Sequence, residues 1–158
     1  MALFVGKHVN KIDSKGRVSV PKVFRMALQM SGAKTLYVYP QFKHNAIEAC
    51  DEAFMSRLSA SVNEIDLFSD EHDDLASVIL ANAYPLIFDK EGRVVLPKTL
   101  LDHAQINEDA VFVGQGSRFQ IWEPKTFEEY SITTFDRARE RKATLRLKKI
   151  RDSSEGLS

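Results

Sequence analysis

Little in this chain is equipped for covalent or redox chemistry. Cys50 is the single cysteine among 158 residues. No intramolecular disulfide can form, which fits a reducing compartment. The thiol sits in an alternating apolar segment and reads as core. His8, His44, His72 and His103 are scattered, and no His-x-x-Glu-His or Cys-x-x-Cys spacing occurs to hold a metal. His72, flanked by Asp70, Glu71, Asp73 and Asp74, reads as part of a solvated acidic helix start. Gly114-Gln115-Gly116 reads as a turn between strands, since no phosphate-loop context follows it. Long apolar runs are also lacking. The stretch from Leu75 to Phe88 is broken by Ser77, Asn82 and Pro85, short of the roughly 20 residues a membrane span needs. Met1 to Val5 is too short, and without a basic leader, to read as a signal peptide. Hydrophobic content of 44% and charged content of 28% match a globular protein with a core, expected to be soluble and intracellular. No enzyme activity, cofactor, metal or small-molecule substrate is expected.

Net charge is lacking too, but the balance hides segregation. Residues 1–25 hold six cationic side chains against Asp13 alone. Residues 48–74 hold nine carboxylates against Arg57. Residues 137–151 hold eight cations against Glu140. Basic ends around an acidic middle suit a polyanion site, or complementary faces that dock in an oligomer, or simply solvated surfaces.

What is present, twice, is one motif. Ile12-Asp13-Ser14-Lys15-Gly16-Arg17-Val18-Ser19-Val20-Pro21-Lys22 returns 76 positions later as Phe88-Asp89-Lys90-Glu91-Gly92-Arg93-Val94-Val95-Leu96-Pro97-Lys98. Such self-similarity defines the structural unit. Phe24 and Leu28 match Leu100 and Ala104 at the same offset, and Leu36–Tyr39 lies opposite Phe112-Val113. Ile47-Glu48-Ala49-Cys50-Asp51 then parallels Phe119-Gln120-Ile121-Trp122-Glu123.

Each copy reads as strand, turn, strand, helix and two further strands. Asp13 and Gly16 occupy the first and fourth positions of a type I turn. Val18–Val20 and Val94–Leu96 are short β-rich segments. Pro21 and Pro97 suit the first position of a helix, where no amide hydrogen is needed. Val23, Phe24, Ala27 and Leu28 form a helical stripe, and Gly32 ends it. Strands are expected at 35–39, 46–50, 110–114 and 119–122. Residues 52–82 read as helical with Asp66 and Asp70 as caps, and 125–149 as a helix or two. A unit of about fifty residues is marginal alone. Intertwining the two copies into one two-lobed β-barrel with pseudo-twofold symmetry would bury both apolar faces.

On these motifs the chain resembles the MraZ family, bacterial relatives of the AbrB-like (SpoVT-AbrB) swapped-hairpin DNA-binding domains. The resemblance rests on Phe4, Gly6, the run Asp13 to Pro21 and Arg25. In the second half it rests on Asp89 to Arg93, Pro97, Val111 to Gly114 and Phe119 to Glu123. It covers residues 4–130 and leaves out the basic segment beyond Ile132. It implies an α+β fold, a tandem swapped-hairpin β-barrel with peripheral helices. The expected division is 5–52 and 82–124 for the two repeats, 53–81 for a helical linker and 125–150 for a C-terminal helical region. Residues 151–158 read as a disordered end. The resemblance further implies a cytoplasmic, nucleoid-associated regulator of transcription. Its implied partners are double-stranded DNA, read at direct repeats upstream of the division and cell-wall gene cluster, and further copies of itself in a ring.

The residues themselves make a DNA contact reasonable. Lys15 offers a point charge toward phosphate, and Arg17 a planar fork that suits phosphate or a guanine edge. Lys22 and Arg25 follow in the next helix. Arg93 and Lys98 are the second copy's counterparts of Arg17 and Lys22, and Arg118 is a further flanking cation. Asp13, Gly16, Asp89 and Gly92 are assigned to bracing the turns. The alternative is that Asp13 and Arg17 only brace one another while Lys15 is solvated. Glu91 replaces Lys15 in the second copy, so the two tips are not expected to be equal. Two other functions stay open: an AbrB-like antitoxin, for which a wrapping disordered tail would be expected, and a structural ring that binds no DNA.

Overall fold

A computed structural model describes residues 2–150. The disordered end expected at 151–158 lies outside the described residues. The chain divides into two compact units, Met1–Phe127 and Glu128–Ser158. The first unit holds both copies of the motif in a mixed α+β fold.

The first copy runs β1 (Lys7–Lys11), β2 (Arg17–Ser19), α1 (Lys22–Met30), β3 (Thr35–Gln41) and β4 (Ala46–Cys50). The second repeats the order as β5 (Tyr84–Ile87), β6 (Arg93–Val95), α4 (Lys98–Ala104), β7 (Asp109–Gly114) and β8 (Phe119–Trp122). Between them lie α2 (Glu52–Asn63), α3 (Asp70–Leu75) and a π-helical turn, Ala76–Leu80. A last helix, α5 (Pro124–Glu140), starts in the first unit and continues in the second.

Six strands form one antiparallel sheet in the order β1-β7-β8-β4-β3-β5, and β2 and β6 form a separate two-stranded ribbon. The copies exchange partners: β1 of the first pairs with β7 of the second, and β5 of the second with β3 of the first. Two pairs of counterparts face one another across the pseudo-twofold relation, Val18 opposite Val94 and Glu48 opposite Gln120. The expected barrel closure is not seen. β1 and β5 remain edges of an open sheet, and a bridge between Ile12 and Val18 helps tie the sheet to the ribbon. Each ribbon strand is only three residues long, and a proline that cannot donate to a ladder follows shortly after it.

The registers also correct one detail of the repeat. Lys11 faces Asp109, and its counterpart Ile87 faces Thr35, so Thr35 matches Asp109 and Val38 matches Phe112. That is an offset of 74, because α4 has seven residues where α1 has nine. Both helices end on a left-handed residue, Gly32 at φ 79° and Gln105 at φ 57°. Glycine bears that conformation without strain, and glutamine gives no sign of it in the sequence.

One face of the sheet, the ribbon, α1 and α4 enclose the main core. Phe4, Phe24 and Phe119 stack at its centre, with ring centroids 4.8–5.4 Å apart. Burying such side chains contributes about 1.5–3 kcal/mol each. On the opposite face Tyr39, Cys50 and Ile79 pack with Phe54, Leu58 and Leu75 of the helical linker. Burial pushes the Cys50 thiol up to about 12, so it is an inert core group.

The linker's caps are Asp51, whose carboxylate accepts from the Phe54 amide, and Ser69, whose hydroxyl accepts from His72. They replace the expected Asp66 and Asp70. Asp66 instead accepts from the Phe68 amide in the preceding turn, and Asp70 already lies inside α3. His72 is not solvated: its side chain is 12% exposed and lies 3.5 Å from Asp73. The C-terminal helix stops at Glu140, where Lys142 turns to φ 51° and the Ala143 amide bonds back to Ala138, so residues 143–150 are not helical.

Candidate nucleic-acid interface

The two turns are built alike. Asp13 accepts from the amides of Lys15 and Arg17 at 2.9 Å each, and its other oxygen accepts from Arg17 Nε at 2.6 Å. Asp89 does the same for Glu91, Arg93 and Arg93 Nε at 2.8–2.9 Å. The Arg17 amide bond leads the forces that hold the Asp13 carboxyl below its usual range, and the Arg93 amide does so for Asp89. Both carboxylates therefore stay ionised and keep the arginines in place. Because Arg17 is gripped through Nε, its two terminal nitrogens take no part in that bond.

The glycine of each turn docks onto the other copy. The Gly16 carbonyl accepts from the Leu96 amide at 2.9 Å, and the Gly92 carbonyl accepts from the Val20 amide at 3.2 Å. Gly16 (φ 83°) lies so close that a Cβ would stand 2.9 Å from the Leu96 carbonyl, with Leu101 next to it. At Gly92 (φ 78°) the neighbour is the Arg25 side chain. Positive φ and close approach both require glycine here.

On the ribbon, Arg17 faces Val95 and Ser19 faces Arg93. Residues two apart share a face. Arg17, Ser19, Arg93 and Val95 therefore point outward, while Val18 and Val94, each 1% exposed, anchor the other face in the core. A two-stranded ribbon with two arginines on its free face has the size and chemistry to enter a major groove.

The other cations differ in circumstance. Lys15 and Lys22 are exposed. Lys98 pairs with Asp102 at 3.3 Å on the surface. Arg25 is half-buried, donating from Nε to the Val20 carbonyl at 3.0 Å. Arg93 bonds Glu91 at 3.2 Å in addition to Asp89, so the second tip is more nearly neutral than the first. Arg118 does not join this group. Its Nε meets Glu48 at 2.9 Å, and Glu48 in turn accepts from Gln120, whose oxygen accepts from the Trp122 indole. That buried network was invisible in the sequence because its members come from two copies. Asn10 donates to the Ser19 carbonyl at 2.7 Å and steadies the ribbon; it gives no sign of this in the sequence, because its partner is a backbone carbonyl that any residue would offer. Among the described residues no cluster of three or more His, Cys, Asp or Glu could hold a metal ion, and no helix is long and apolar enough to cross a membrane.

Comparison with known proteins places this architecture. Residues 79–149 match the family described as "MraZ protein, putative antitoxin-like". A "Transcriptional regulator MraZ" of Pelagibacter ubique is 42% identical over 154 residues, covering 98% of this chain and 99% of the relative. The chain belongs to the MraZ family. A Gluconacetobacter diazotrophicus protein of the same name is 41% identical over 89% of this chain and 90% of its own. One from Rickettsia typhi is 38% identical over 92% and 98%. The MraZ family match begins within the second copy's approach, whereas the relatives span both copies, so both turns fall within the shared region.

Proposed function

We propose that this chain is a sequence-specific DNA-binding regulator of transcription. The observation that carries the reading is the ribbon: Arg17 and Arg93 on its free face, held by Asp13 and Asp89, with Val18 and Val94 rooting it in the core. Arg17 reads base edges, Lys15, Lys22, Arg25 and Lys98 contact phosphate, and Arg93 contributes less because Glu91 neutralises its tip. Asp13, Gly16, Asp89 and Gly92 brace the turns.

The exchanged strand partners support a tandem swapped-hairpin domain, with repeats at 5–52 and 82–124, a helical linker at 53–81 and a C-terminal helical region at 125–150. A few phosphate contacts per chain bind weakly and fade with salt. A ring of copies would add effective concentration. Head-to-tail contacts repeat one orientation, so such a ring reads direct repeats in place of palindromes. The family resemblance supports a target upstream of the division and cell-wall gene cluster, and a place in the cytoplasm on the nucleoid.

The test is binding of the full chain to duplexes from upstream of its own gene. Preference for repeat-containing over scrambled DNA of equal length is expected. Equal affinity for the two would overturn the reading.

A further inference from the structure

The two turns pack on the other copy in equivalent ways, yet the residues around them are not equivalent. At the second turn a pocket of about 340 Å³ opens between α1 and residues 88–92. Arg25, Lys34 and Lys90 line it, with Leu28 and Phe88 as apolar wall. The counterparts of the three cations are Leu101, Glu108 and Ser14, by the offsets of 76 for the turn and helix and 74 for β3. The equivalent place at the first turn is therefore without positive charge from these positions.

That contrast separates packing from chemistry. Leu101 covers Gly16 at the first turn, so the structural task of covering a turn glycine does not require a guanidinium. At the second turn Arg25 covers Gly92 and is aimed by its bond to the Val20 carbonyl. Asp89 also lines the pocket, but its oxygens already accept from two amides and Arg93. Three cations beside an apolar wall interact with an anion more strongly than they would in open water. Arginine and lysine together suit the several oxygens of a phosphate.

We propose that this pocket is a phosphate-binding site, present on one side only of the pseudo-symmetric molecule. The phosphate comes from a DNA backbone or from a free phosphorylated ligand of nucleotide size, which the volume admits. The site shares Arg25 with the proposed phosphate contacts, whereas Lys34 and Lys90 take no part in that reading, so their variants let the two fail separately.

The test transplants residues that the fold already uses at the other turn: Arg25→Leu, Lys34→Glu and Lys90→Ser in the full chain. Calorimetry follows inorganic phosphate and adenosine monophosphate, and fluorescence anisotropy follows a random-sequence duplex at several salt concentrations. Saturable binding of either free probe, weakened about tenfold or more by each variant, supports the site with a free ligand. Weaker duplex binding with a salt slope shallower by about 0.9 for each variant supports it with a backbone phosphate. Lys90→Ser leaves Arg25 in place and installs the residue that the first turn carries at the counterpart position, Ser14, so an unchanged melting temperature separates its effect from disturbance of the turn. If Lys90→Ser and Lys34→Glu match wild type on all three probes, the pocket is no phosphate site. Lys15→Ala, measured alongside, reports on the first turn, which does not line the pocket.

Discussion

Val18 lies opposite Val94, and each is the other's counterpart in the repeat. Both are buried to 1% exposure beneath the ribbon that carries Arg17 and Arg93. The contact joins the two copies at the point where their symmetry relation passes between them, so stability and display of the arginines meet in one pair.

Truncating either valine should therefore cost about 2 kcal/mol, from lost burial and the cavity left behind. Because the two side chains share neighbours, the double variant should depart from additivity by at least about 0.5 kcal/mol. Urea unfolding of Val18→Ala, Val94→Ala and the pair checks this. Strict additivity would mean that the valines do not feel each other.

Arg17→Ala should weaken binding to repeat DNA by about 1–3 kcal/mol if it reads a base. Lys15→Ala should cost less and act alike on specific and random duplexes. Arg93→Ala should cost less than Arg17→Ala, since Glu91 already offsets that tip. Affinities count only for variants that keep wild-type melting temperature and oligomer size, because both arginines also hold their turns. A larger loss from Arg93→Ala would refute the asymmetry.

The turn glycines should differ in a way that the sequence does not suggest. In Gly16→Ala the new methyl meets the Leu96 carbonyl, which is backbone and cannot yield. In Gly92→Ala it meets Arg25, which can swing aside. Both substitutions carry the strain of positive φ, on the order of 1–2 kcal/mol. Gly16→Ala should be the less stable variant by thermal melting, and Gly92→Ala should show the greater loss of any Arg25-dependent binding.

Burial raises the Glu48 carboxyl above its ordinary range despite the help of Gln120 and Arg118. A raised carboxylate binds its proton more readily when folded, so its stabilising contribution is present at low pH and is lost as pH rises through the folded value. Asp13 and Asp89 are lowered and act in the opposite sense, losing their contribution only as pH falls through their folded values. Glu48→Gln installs the residue found at the counterpart Gln120. Its stability should fall less steeply with rising pH, above the ordinary carboxylate range, than that of wild type. Parallel profiles of the two proteins would show that Glu48 does not titrate in that window.

If copies assemble head to tail, sedimentation at micromolar concentration in low salt should show a closed species larger than a dimer. The segregation of nine carboxylates in 48–74 from eight cations in 137–151 predicts that salt weakens the assembly. A monomer under those conditions would count decisively against the ring.

Much of this protein was legible because its signals are local. Asp and Gly at fixed turn positions, prolines before helices and the return of the motif after 76 residues depend on near neighbours in the chain. Strands at 46–50 and 119–122 were expected where they lie. Tertiary structure alone decided which strands pair. Ladder bonds are made by backbone groups that are the same in every residue, so side-chain pattern names a face but not a partner. For that reason an open sheet with a separate ribbon took the place of a closed barrel. The shortened α4, closed by a left-handed Gln105, shifted the second copy's register by two. Arg25 and Arg118 were simply two more cations in the sequence. Packing laid one against the opposite turn and bound the other to a buried glutamate, because each side chain meets a residue of the other copy that is remote in the sequence.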